Sequence, residues 1–136
     1  MACGTMFRLR KAAFLLTSCF SGALVAQPLV AQTPVDIVRI WQNFVVSRVA
    51  AEACKKVDDR ANIQFQKNLL DVRIRAAQAL QERNPSKSLD EIAVQMTSAE
   101  GIIGNRVAET IKRSGCSTPE TEQLIALYEM HSNMKL

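Results

Sequence analysis

Apolar residues recur at helical rather than strand spacing through most of this chain, and the recurrence falls into four segments. In the first, Ile37, Ile40, Trp41 and Phe44 share one side. Val46, Val49, Ala50, Ala53 and Val57 share another, rotated by more than a quarter turn at about 100° per residue. Such a helix either bends near Phe44–Ser47 or buries its two halves against different neighbours. It is expected to begin near Pro34 or Asp36, with Thr33 as N-cap and Pro34 in the first turn. In the second segment Phe65, Leu69, Val72, Ala76 and Leu80 follow an i, i+4, i+7 pattern, and Ile63, Leu70, Ile74 and Ala77 form a second stripe. A helix apolar on two sides predicts a place in the middle of a bundle. Lys67–Asp71 and Asp71–Arg75 are spaced for i,i+4 pairs, and Asn84-Pro85 ends the segment.

The third segment opens on Ser88-Leu89-Asp90-Glu91, a capping-box pattern. Leu89, Ile92, Met96, Ala99, Ile103, Val107 and Ile111 then face one side. Gly101 and Gly104 allow either close helix contact or a break, and Ser114-Gly115 closes the segment. Thr118-Pro119-Glu120 starts the fourth, in which Leu124, Leu127, Tyr128 and His131 share a face. No segment alternates like a strand. The pattern predicts an all-α, small four-helix bundle-like domain over residues 36–132, with a frayed tail over 133–136.

Ahead of the helices the pattern changes. Arg8, Arg10 and Lys11 precede an apolar run from Ala12 to Phe20, followed by small residues. This reads as a signal peptide over residues 1–26, cut near Ala23–Ala26, with a flexible lead-in over 27–35. Two rivals stand beside it. The charge-free run from Ala12 to Val35 could serve as an uncleaved anchor, although polar residues dilute it. Leu16-Thr17-Ser18-Cys19 resembles a lipobox, which would make Cys19 a lipidated first residue. A membrane is therefore implied only through an uncleaved or lipidated N-terminus, and the predicted location is outside the cytoplasm, foremost the periplasm.

Setting residues 1–26 aside changes both charge and cysteine count. Three of the 17 basic residues and none of the 13 acidic ones go with them, so the formal charge falls from +4 to +1. A near-neutral chain lacks the basic excess that phosphate backbones demand, and nucleic acid is not expected as a partner. Cys3 and Cys19 also fall in the signal. Cys54 and Cys116 remain, and they have one intrachain pairing in an oxidising compartment. The alternatives are reduced buried thiols or a bridge between chains.

Candidate chemistry is sparse. His131 is the only histidine and reads as a surface group at a helix end, so neither a zinc cluster nor a haem attachment site can be assembled, and no cofactor is expected. Ser132-Asn133-Met134-Lys135 has Ser-x-x-Lys spacing without the companion motifs of penicillin-binding serine enzymes. Asp58-Asp59, Asp90-Glu91 and Glu120/Glu122 are at expected helix starts, where capping and the helix dipole account for them.

The expected function is that of a small exported helical binding or accessory protein without catalytic activity, acting on a protein partner or as a homo-oligomer. Ile37, Trp41 and Phe44 are the candidate contact residues, with core packing as the other role for Trp41. The stretch Cys116 to Pro119, a cysteine at a helix end ahead of a Pro-initiated helix, is loosely similar to the small acid-stress chaperones of the bacterial periplasm. That resemblance implies an acid-activated, holdase-type chaperone as the alternative; the span between the cysteines here is longer. An envelope hydrolase using helix-borne carboxylates is the second alternative.

Overall fold

The structure is a computed structural model and describes residues 36–136. The signal over residues 1–26, its cleavage near Ala23–Ala26, Cys19 and the 27–35 lead-in lie outside the described residues. Among the described residues the fold is all-α: α1 (Ile37–Ala53), α2 (Asp59–Arg83), α3 (Leu89–Ser114) and α4 (Pro119–Asn133).

Each helix starts where a short polar side chain can take up an orphan N–H. Asp36 accepts from Val38 N, Asp58 from Ala61 N and Thr118 from Thr121 N. The first helix therefore begins at Ile37 under Asp36; Thr33 and Pro34 lie outside the described residues. At Ser88 both arms of the capping box form, with Glu91 N donating to Ser88 Oγ and Ser88 N donating to Glu91 Oε2. Those hydrogen bonds hold the Glu91 carboxyl below its usual range. Gly115 ends α3 at φ +87°, a conformation that side-chain-bearing residues adopt at a cost.

The central helix is α1, which packs against each of the other three. Its drifting apolar face comes from this: one uninterrupted helix buries Trp41, Phe44, Val45, Ser47, Ala50 and Ala51 against several neighbours. The sequence pattern assigned the middle position to α2, and the structure corrects that. The core face of α2 is Phe65, Leu69, Val72 and Ala76, while Ile63, Leu70 and Ile74 of its second stripe stay exposed. Two apolar stripes show that a helix has two faces to cover, without showing that both are covered within one chain.

Gly101 and Gly104 do not break α3. A Cβ built at Gly104 would lie 3.4 Å from Val49 Cγ2, so this glycine lets α3 approach α1 closely. At Gly101 a Cβ would meet nothing within 4 Å. Gly101→Ala is therefore expected to raise stability by about 0.5–1 kcal/mol through helix propensity and a less mobile unfolded chain, measured as a higher urea midpoint at unchanged m. Gly104→Ala is expected to gain less, because its new methyl must share space with Val49.

Cys54, at the C-cap of α1, is bonded to Cys116 in the α3–α4 turn, with S–S 2.04 Å and Cα–Cα 5.7 Å. The bridge joins the end of the central helix to the corner between the last two. It points to a non-cytoplasmic environment. No helix among the described residues is long and apolar enough to cross a membrane.

Candidate functional site

Two features of the domain go beyond what holding four helices together requires: a polar centre in the core and an uncovered apolar row on α2.

The polar centre forms where α1, α2 and α4 meet. His131 stacks on Phe44 with ring centroids 3.8 Å apart and planes 4° from parallel, and it is only 4% exposed. The expectation of a surface histidine is thus corrected. Its face of α4, shared with Tyr128, is the face that packs into the core. Ser47 Oγ donates to Phe44 O at 3.1 Å and lies 3.2 Å from His131 Nδ1. With the single hydroxyl proton committed to Phe44 O, Nδ1–H is the donor to Ser47, which sets the neutral tautomer. Burial, with no compensating carboxylate, pushes the imidazole down to about 4. Phe65 fills the remaining side, tilted against Phe44 at 5.3 Å and against Tyr128 at 4.5 Å. Burial pushes the Tyr128 hydroxyl up.

Asn68, buried on the core face of α2, secures the far end of α4. Its Nδ2 donates to His131 O at 2.8 Å and to Met134 O at 2.9 Å, and its Oδ1 accepts from Gln64 Nε2. Ser132 is buried and donates to Tyr128 O. The start of the expected frayed tail is therefore anchored, because Asn68 supplies donors to carbonyls that a helix end leaves free. The sequence signal for Asn68 is a lone amide inside the Phe65, Leu69, Val72 stripe.

The uncovered row consists of Ile63, Leu70 and Ile74, which are 61%, 58% and 51% exposed. At 3.6 residues per turn they fall within about 40° of one another, on the side of α2 turned away from Phe65 and Val72. They span about 16 Å along the helix. Lys67 and Asp71 flank the row on one side, and Arg73, engaged with Glu100, flanks it on the other. Arg75 Nη2 lies 2.9 Å from Asp71 Oδ2, off the axis of a hydrogen bond, so this oxygen has an ionic neighbour without a hydrogen-bond donor. The Asp71 side chain remains 43% exposed. Of the two expected i,i+4 pairs only Asp71–Arg75 forms, and Lys67 has no carboxylate partner among the described residues.

The expected contact residues are placed elsewhere. Trp41 is 2% exposed and Phe44 fully buried, so neither offers surface to a partner; this corrects the reading of both as contacts. Trp41 Nε1 donates to Glu100 Oε1 at 2.9 Å, and the same oxygen lies 3.2 Å from Arg73 Nε, which ties α1, α3 and α2 together. An indole that finds its hydrogen-bond partner inside the bundle belongs to the core. Ile37 is half-buried beside a groove of about 400 Å3 that Ile40, Val72, Met134 and Leu136 also line.

The acidic residues at helix starts act as caps or lie in first turns. Glu122 and Glu129 line one cleft with Lys56 and Cys116, and both are exposed. No group of three histidine, cysteine or acidic side chains able to hold a metal occurs among the described residues. No protein-family model matches the chain, and comparison with curated proteins and with solved structures finds no match either.

Proposed function

We propose that the chain is a small exported, periplasmic binding protein that acts through protein–protein contacts made by the outer face of α2. The observation that carries this reading is the alignment of Ile63, Leu70 and Ile74, each more than half exposed, in one row opposite the core face. Single exposed aliphatic residues are ordinary, whereas a row along one helix face is how helices dock on a partner. The apolar run over residues 12–20 and the Cys54–Cys116 bridge support export. The lining of the acidic cleft supports a non-catalytic role, since general acid–base work needs a carboxylate set apart by its surroundings and Glu122 and Glu129 both face solvent.

A photo-reactive residue at position 70 in the full chain, expressed in intact cells, is expected to give a covalent adduct. The same residue at exposed Glu109 on α3 is expected to give none. Equal labelling at both positions, or no adduct at position 70, overturns the reading.

A second reading, an acid-activated holdase, is favoured by one observation. His131 is buried without a counter-charge at the junction of three helices, so acid works against that junction. Suppression of client aggregation should then appear only as pH falls below about 5. Equal suppression at neutral pH removes this reading.

A further inference from the structure

We infer that the occupant of the α2 row is a second copy of this chain, with the two α2 helices crossing antiparallel about a two-fold axis near residue 69. The inference rests on the reading of the row as a binding surface and adds its partner. A two-fold interface must be self-complementary, so each group has to find its counterpart on the same patch. This patch meets that condition. An axis near residue 69 sets Ile63 beside Ile74 of the second copy and brings the two Leu70 side chains together at the centre. The same axis sets Lys67 against Asp71 of the second copy, and the reverse, on the flank of the row.

The charges are what select this occupant. Within one chain Lys67 has no carboxylate partner among the described residues, although Asp71 is four residues away on the same helix. Asp71 leans to Arg75 and keeps a 43% exposed side chain. A cation without a carboxylate partner and a carboxylate that keeps 43% of its side chain exposed, with its Oδ2 buried beside Arg75, lie along the apolar row and meet their counterparts across a two-fold axis. In antiparallel helix pairs, flanking charges of this kind decide partner and register more than they add affinity. The row is short, which fits an association in the micromolar range rather than a permanent dimer.

The test is sedimentation equilibrium on protein isolated from cells expressing the full chain, from about 1 μM to about 1 mM. The expected result is a monomer–dimer equilibrium. Leu70→Glu should raise the dissociation constant at least about a hundredfold, because the exchange buries a charge pair of one sign at the centre. Helix content should stay unchanged, and so should the unfolding midpoint in solutions dilute enough to be monomeric, since residue 70 faces solvent in the monomer. Lys67→Glu should weaken the dimer about three- to tenfold, and Lys67→Glu with Asp71→Lys should restore it. A monomer at every concentration overturns the inference, as does a dimer indifferent to Leu70→Glu. A dimer that Leu70→Glu disrupts but the double reversal leaves weak overturns the antiparallel register. If the chain stays monomeric while position 70 labels a different protein in cells, self-pairing fails and the binding reading stands; if position 70 labels nothing, both fail.

Discussion

Replacing Cys54 and Cys116 together with alanine is expected to lower the stability of the domain by about 4 kcal/mol. The bridge closes a loop of 62 residues, and the loss of chain entropy in the unfolded state for such a loop is of that order. Against a total of roughly 5–15 kcal/mol for a single domain, this is a large share. The position of the bridge adds to it. Cys54 ends the helix on which all the others pack, and Cys116 is at the corner between α3 and α4, two helices that do not otherwise pack extensively on each other. The check is urea unfolding of the oxidised protein and of the double variant, with helix content followed in both. A loss below about 1 kcal/mol would mean that the packing of α1 already fixes this corner.

Acid is the second lever, and its expected effect is about 3 kcal/mol. The ordinary value for histidine, 6.5, applies to the unfolded chain, whereas burial pushes His131 down to about 4 in the fold. The unfolded state therefore takes up the proton first as pH drops. The contribution of neutral His131 is present in full above pH 6.5, declines between 6.5 and about 4, and is gone below that. The neighbours the structure gives the ring are Phe44 and Ser47 of α1 and Phe65 of α2, none of them charged, so burial governs the effect. The carboxyl of Glu91, lowered from 4.5 by its Ser88 hydrogen bonds, loses its contribution from about 4.5 downward and overlaps only the lower end of this range. His131→Phe keeps a ring against Phe44, and Ser47 keeps its bond to Phe44 O. This variant should flatten the stability profile between pH 6.5 and 4. A profile equally steep in the variant would assign the acid sensitivity to other groups.

Much of this architecture was legible in the chain because it depends on local chemistry. Asp58, Ser88 and Thr118 cap helices by hydrogen bonds that reach three residues, and a sequence displays that reach directly. The pairing of Cys54 with Cys116 was legible by elimination once the first 26 residues were set aside. What was misjudged depends on how faces meet. The periodicity of α2 showed two apolar stripes equally well, and nothing local distinguished the stripe that packs on α1 from the one left uncovered. Trp41 and Phe44 stood out as large aromatic residues on a drifting face, and the drift resulted from a helix packed by three neighbours. His131 and Asn68 are hidden for the opposite reason: a polar residue on an apolar face reads as surface until a partner from another helix is seen. Ser47, the Nδ1 acceptor, lies 84 residues from His131 in the chain.

Ile63, Leu70 and Ile74 are uncovered in the isolated domain and should be covered in the cell. Hydroxyl-radical footprinting measures this directly, by comparing side-chain oxidation in dilute purified protein with that in intact cells. Strong oxidation of Leu70 and Ile74 is expected in dilute solution and protection of both in cells, while exposed Val94 on α3 reacts alike in each. Equal reactivity of Leu70 and Ile74 in the two settings would contradict it.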